Sequence, residues 1–341
     1  MSKIIYNGAV TPSMSILANA NIDSSTSNLV NYNRPVNTFV MIATSSTAAA
    51  YSTNGITWTA TTLPSSAQWQ TVTYGNSTFV AVAYSSTTAA AYSTNGITWT
   101  TTTMPSTSSW YSVTYGNNTF VAVALSSTAA AYSTNGITWT TTTMPSTSSW
   151  YSVTYGNNTF VAVAGGSSGT TTAAYSTNGI TWTTTTMPSS ASWQSITYGN
   201  GTFAAVAGGS SGTTTAAYST NGITWTTTTM PSTSSWYSVT YGNNTFVAVA
   251  TNTPFGTTAA AYSTNGITWT TTTMPSSANW YSVTYGNGTF AAVAGGFGGT
   301  PTAAYSTNGI TWTATTLPSN NIWRAITSGA PTESARLLQT L

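Results

Sequence analysis

The sequence predicts an all-β chain, a seven-bladed β-propeller with four-stranded blades and a ring closed by the C-terminal strand. Three observations predict it. The phrase YSTNGITWT occurs seven times, with its tryptophan at Trp58, Trp99, Trp139, Trp182, Trp225, Trp269 and Trp312, a period of 40 to 44 residues. Self-similarity at that period marks a repeat architecture in which each unit is one supersecondary element. A second tryptophan follows each first one after eleven residues, at Trp69, Trp110, Trp150, Trp193, Trp236, Trp280 and Trp323, and the two series account for all 14 tryptophans. A phenylalanine then follows after ten residues, at Phe79, Phe120, Phe160, Phe203, Phe246 and Phe290, so one connection alone is left to vary in length.

The repeat from Trp110 to Met144 justifies the strands in order. WYSVTY alternates large and small side chains with period two, which predicts a first strand. GNN follows as a turn, and TFVAVA as a second, apolar strand. After a variable loop, AAAYST predicts a third strand and ITWTTTT a fourth. Asn135-Gly136 between them predicts a type I′ hairpin, which needs positive φ at both central positions. MPSTSS ends the unit, with proline closing the outer strand. Four short strands in about 42 residues describe one propeller blade.

The repeats begin at residues 38–43, a second strand, and end at residues 323–327, a first strand. The C-terminus is therefore expected to supply the strand missing from the first blade, which removes exposed edges. The predicted organisation is an N-terminal arm over 1–36, the propeller over 37–327 and a C-terminal tail over 328–341, where ESARLLQTL reads as a short helix.

Charge is nearly absent. Lys3, Asp23, Arg34, Arg324, Glu333 and Arg336 are the only charged residues, and there is no histidine or cysteine. Ordinary chains are about a quarter charged, so the 2% here is a large departure, yet 13% aromatic content argues against disorder. A net charge of +2 offers no electrostatic footprint for nucleic acid. No apolar run reaches membrane-helix length, and the first twenty residues lack an apolar stretch suited to secretion. Nucleic acid, membrane insertion, a secretory signal, a metal and a cofactor are all unexpected. Without bases or carboxylates in the repeats, no serine or threonine has a partner to activate it. Residues 92–124, 132–164 and 218–250 are identical over 33 positions, which suggests interchangeable blades rather than one catalytic centre. The chain is expected not to be an enzyme.

YSTNGITW resembles the Asp-box of sialidase-like (BNR) propellers, in which Ser, Asp, Gly and Trp mark the turn between third and fourth strands. The whole unit is similar to YSTDGITW-type repeats in propellers of bacteriophage structural and tail proteins. Here Asn54, Asn95, Asn135, Asn178, Asn221, Asn265 and Asn308 stand where those boxes have Asp, and the glycine follows directly. The resemblance covers residues 37–327. It implies a structural virion protein, decorating capsid or tail and attached to other virion proteins through the terminal arms. A lectin-like propeller reading host-surface glycans is the alternative.

Two sets of residues are candidates for contact. The variable connection carries Tyr84, Leu125, Phe255 and Phe297 at its tips, and all such loops emerge on one face. That face is expected to bear partner contacts and the Asn-Gly face to be uniform. In the lectin-like alternative, Trp69, Trp110, Trp150, Trp193, Trp236, Trp280 and Trp323 would stack on sugars; otherwise they pack between blades.

Overall fold

The computed structural model describes residues 37–85, 87–209, 211–295 and 302–329. All regular structure among these residues is β-strand, built into four-stranded antiparallel blades, and none of them is helical. The expected N-terminal arm, the tail from residue 330 and its short helix lie outside the described residues.

One blade comprises Trp110–Gly116, Thr119–Ala124, Ser127–Ser133 and the first half of Thr140–Gly156. The register is set by Val113 opposite Ala122, Ala130 opposite Val123 and Ala130 opposite Thr142. Three details correct the sequence expectation. The type I′ geometry sits at GNN, where φ is 44° at Asn117 and 56° at Asn118. At Asn135-Gly136 only the glycine has positive φ, at 73°. That loop is instead held by side chains, which offer the backbone an alternative to a tight hairpin. The Ser133 hydroxyl accepts from the Gly136 N–H at 2.9 Å and donates to Asn135 Oδ1 at 3.0 Å. Asn135 Oδ1 in turn accepts from the N–H groups of Ile137 and Thr138, both at 2.9 Å.

The third correction concerns proline. Thr140–Gly156 runs 17 residues straight through Pro145 and becomes the inner strand of the next blade. Pairing jumps from Ala129–Thr143 to Ser127–Ser148, so Pro145 falls in the irregular stretch between those pairs. Proline is tolerated at such a bulge, where no ladder donor is lost.

The core is made by the second strand of each blade. Thr119–Ala124 is buried on both faces: Phe120, Ala122 and Ala124 pack with Trp110, Trp139 and Val80, while Val121 and Val123 pack with Trp150 and Phe160. Period-two alternation thus serves two neighbouring blades at once. Each fully buried Phe or Val contributes roughly 1.5–3 kcal/mol, and the small alanines between them let the sheets approach.

Neighbouring blades are joined by three recurring contacts. An outer-strand threonine donates to an isoleucine carbonyl of the next repeat: Thr102 to Ile137 at 2.5 Å, Thr142 to Ile180 and Thr185 to Ile223 at 2.6 Å. An inner-strand serine accepts a backbone N–H from the next inner strand, as Ser112 does from Val153 at 3.1 Å. A tyrosine ring fills the place of a glycine Cβ, with a Cβ on Gly156 falling 2.0 Å from Tyr198 Cγ. The first and last described repeats meet through contacts of the same kinds. Trp323–Gly329 pairs antiparallel with Thr38–Ala43, Thr315 donates to Ile56 at 2.6 Å, and Phe39 and Met41 share a core with Val293 and Trp323.

Two substitutions separate packing from turn geometry. Gly156→Ala forces the Tyr198 ring out of place and is expected to lower unfolding free energy by about 1–3 kcal/mol. Gly201→Asn is expected to stay within about 0.5 kcal/mol of the parent, because Asn118, Asn158 and Asn244 hold the equivalent position at φ of 56°, 57° and 57°. Urea midpoints measured at constant slope check both.

Candidate functional site

The residue after each second-series tryptophan is set apart by the backbone. On every inner strand the register shifts there, between Trp69 and Thr71, Trp110 and Ser112, Trp150 and Ser152, and so on to Trp323 and Ala325. The skipped residues are Gln70, Tyr111, Tyr151, Gln194, Tyr237, Tyr281 and Arg324. Each is therefore the extra residue of a β-bulge, a device that re-aims a side chain. The tryptophans on one side of the bulge are fully buried, whereas all seven bulged residues keep part of their surface open.

These side chains converge although their repeats are far apart in sequence. Arg324 Nε donates to Gln70 Oε1 at 3.0 Å, and Nη2 donates to the hydroxyls of Tyr111, at 3.3 Å, and Tyr237. The Tyr111 and Tyr237 hydroxyls lie 2.8 Å apart. The Arg324 guanidinium also stacks over the rings of Tyr281 and Tyr237, 4.6 and 5.1 Å from their centroids, a favourable cation–π geometry. Tyr151 meets Tyr111 edge-on at 4.9 Å.

This enclosure shifts the phenols. Burial pushes Tyr111 well above the ordinary value of 10.0, and Tyr237 pushes it further while Arg324 opposes. Burial likewise raises Tyr151 and Tyr281. Burial works against the Arg324 charge, but the negative charge that Tyr237, Tyr111 and Tyr281 carry once ionised, with the Tyr237 hydrogen bond, outweighs it and raises its pKa. The guanidinium is cationic at any working pH.

Beside the cluster lies a cavity of about 540 Å³. Gln194, Tyr237 and Tyr281 line it from the bulges, and Gly209, Ser211, Gly212, Asn252, Thr253 and Thr257 line it from two of the variable connections. Its walls carry hydroxyl, amide and aromatic groups and no formal charge. Among the described residues, no three of His, Cys, Asp or Glu come together as a metal site, and no helix is long and apolar enough to cross a membrane.

The residues singled out from sequence divide sharply. Trp69, Trp110, Trp150, Trp193, Trp236, Trp280 and Trp323 are each 0% exposed, so no ring face is open for a sugar to stack on. Their indoles belong to the core, and Trp110 Nε1 donates to the Ser106 carbonyl at 3.2 Å. The sugar-stacking role is corrected accordingly. Tyr84 reaches the convergent cluster, its ring edge-on to Tyr111 at 6.2 Å. Leu125 is half-buried, Phe255 is 82% exposed, and Phe297 lies outside the described residues. Sequence reasoning missed the bulged set. Its signal was present: in repeats that are otherwise nearly identical, the position after the second tryptophan reads Gln, Tyr, Tyr, Gln, Tyr, Tyr, Arg.

No protein-family model matches the chain, and no curated protein matches it in sequence. Solved structures do match in fold. Virginiamycin B lyase from Staphylococcus aureus is 13% identical with a TM-score of 0.62, over 74% of this chain and 85% of that one. A streptogramin B lyase is 13% identical with a TM-score of 0.64, over 76% and 86%. YCF48 bound to D1 peptide is 14% identical with a TM-score of 0.55, over 74% and 83%. The fold is a β-propeller. These likenesses overturn the expectation that the chain is not an enzyme, since the fold carries a lyase in two of the three proteins. That expectation leaned on the lack of bases and carboxylates in the repeats and on interchangeable blades, and the blades are not interchangeable at their bulges, where one carries Arg324 and the others Gln or Tyr.

The raised phenols make stability fall in alkali. Above about pH 10 the unfolded chain releases a Tyr111 proton that the native state retains, so unfolding becomes easier by about 1.4 kcal/mol per pH unit for each such proton. The loss is complete once pH passes the native pKa. Melting temperatures from pH 9 to 12, followed with tyrosinate absorbance, are expected to fall more steeply for the parent than for Tyr111→Phe.

Proposed function

We propose that the chain forms a closed seven-bladed propeller that binds a protein partner on the face bearing its variable connections. The bonds between the first and last described repeats support closure: Thr315 to Ile56 repeats the threonine–isoleucine contact of the other blade pairs, and Asn287 Nδ2 donates to the Thr53 carbonyl at 3.2 Å. One observation carries the binding reading. The cavity is walled by connections of unequal length and lies beside the bulges, where otherwise matching inner strands carry Gln, Tyr or Arg. Phe255, on one of those connections, is the most exposed large apolar side chain among the described residues. The similar propeller YCF48 holds a peptide, that of D1. The setting is a phage-like particle, in which the partner is another virion protein. Its support is the resemblance of the repeats to Asp-box propellers of phage structural proteins.

A photo-crosslinking residue at position 255 is compared with one at position 180, where Ile180 is 39% exposed on the Asn-Gly loop. In native assemblies, position 255 is expected to yield a discrete protein adduct and position 180 none. Adducts from position 180 alone would overturn the choice of face. Binding on a glycan array, without a protein adduct from either position, would overturn the protein-partner reading.

A further inference from the structure

Arg324 is the only charged side chain among the described residues, and no carboxylate there balances it. The chain's two acidic residues, Asp23 and Glu333, both lie outside them. Its hydrogen-bond partners Gln70, Tyr111 and Tyr237 are all neutral. Removing a cation from water without a counter-charge is unfavourable, so a group placed this way needs a reason.

The fold does not supply that reason. Six equivalent bulges carry Gln or Tyr, and those blades have the same register and the same buried tryptophan. The last inner strand needs no charge to do what the others do. Nor are the hydrogen bonds of Arg324 complete. Nε and Nη2 are engaged, whereas Nη1 has no acceptor among the described residues, and the side chain keeps some open surface. Two of the rings stacked against it, Tyr237 and Tyr281, also line the 540 Å³ cavity. A charged, incompletely bonded guanidinium thus stacks against two of the rings that line a neutral polar cavity.

We propose that this cluster is a carboxylate-binding site, at which Arg324 takes an acidic side chain or C-terminal carboxylate of the protein partner. The proposal rests on the protein-binding reading above and names the chemistry of what is bound. A single guanidinium balances a single negative charge, which matches a carboxylate rather than a dianionic phosphate. The charge-assisted bond to Nη1 is of the stronger kind, and hydroxyl and amide groups in the cavity suit the adjoining peptide backbone. Because positions 35 to 323 carry no charge, Arg324 is also the one electrostatic attractor on the repeats.

Calorimetric titration of the full chain with three peptides tests this: N-acetyl-trialanine with a free C-terminus, its C-terminal amide, and the amide of N-acetyl-Ala-Glu-Ala. One or both carboxylate peptides are expected to bind at least tenfold more tightly than the neutral amide, and which one binds identifies the source of the carboxylate. Arg324→Gln is expected to abolish the difference while still folding, as a single cooperative melting transition checks, since Gln70 and Gln194 occupy equivalent bulges. Equal affinity for acid and amide, a difference that persists in Arg324→Gln, or tighter binding of inorganic phosphate overturns the proposal. No peptide binding, alongside protein adducts from position 255, overturns the carboxylate site and leaves the protein-binding reading standing. Loss of both overturns both.

Discussion

Each blade is held to the next by a side chain that stands where another residue has none. The tyrosine ring of one inner strand occupies the space of a glycine Cβ on its neighbour: Tyr115 over Gly75, Tyr155 over Gly116, Tyr198 over Gly156, Tyr241 over Gly199 and Tyr285 over Gly242. A Cβ at any of these glycines would fall 2.0 Å from the ring, so the spacing is a hard constraint. Tyr74 stands over Gly329 in the same way, joining the first complete repeat to the last strand. Close approach of the inner strands brings the bulged residues within reach of one another. Without it, the hydroxyls of Tyr111 and Tyr237, which are 126 positions apart, would not bond.

Much of the fold was legible because repetition removes ambiguity. One strand pattern read from one repeat is ordinary evidence, but the same pattern at fixed spacing from both tryptophans is forced by packing. Phe120 can lie ten residues beyond Trp110 in every copy only if the turn between them never changes length. The errors came from local rules that tertiary context overrode. Asn135-Gly136 has the composition of a type I′ turn, yet Ser133 and Asn135 side chains satisfy the backbone groups that a two-residue hairpin would pair directly. Pro145 is a strand breaker where a ladder donor is needed, and here the ladder skips it.

The candidate site was less legible, for a physical reason. A bulge leaves no mark on alternation that a single strand reveals: Trp110-Tyr111-Ser112 reads as large, large, small whether or not the register shifts. Only the partner strand shows it, with Trp110 opposite Ala124 and Ser112 opposite Val123. The tryptophans drew attention because they are large and invariant, and invariance there reports burial. Variation at the next position reports freedom from packing, and that freedom is where chemistry can differ between blades.

Duplication and asymmetry therefore act at different depths of the same molecule. Blades with 33 identical residues share one solution to burial, so the core has no use for differences. Bulges and second-to-third-strand connections escape that constraint, the first because their side chains leave the sheet, the second because their length does not alter the register. Both kinds of freedom meet at the cavity, where Gln194, Tyr237 and Tyr281 join Gly209, Ser211 and Gly212 from one connection and Asn252, Thr253 and Thr257 from another. A scaffold whose repeats are held by glycine–tyrosine contacts, with Ser328 in the tyrosine's place over Gly286, can change Gln to Tyr or Arg at a bulge without disturbing its neighbours. Arg324 is the furthest such departure: it adds a charge to an otherwise uncharged set of blades and leaves the strand pairing around it unchanged.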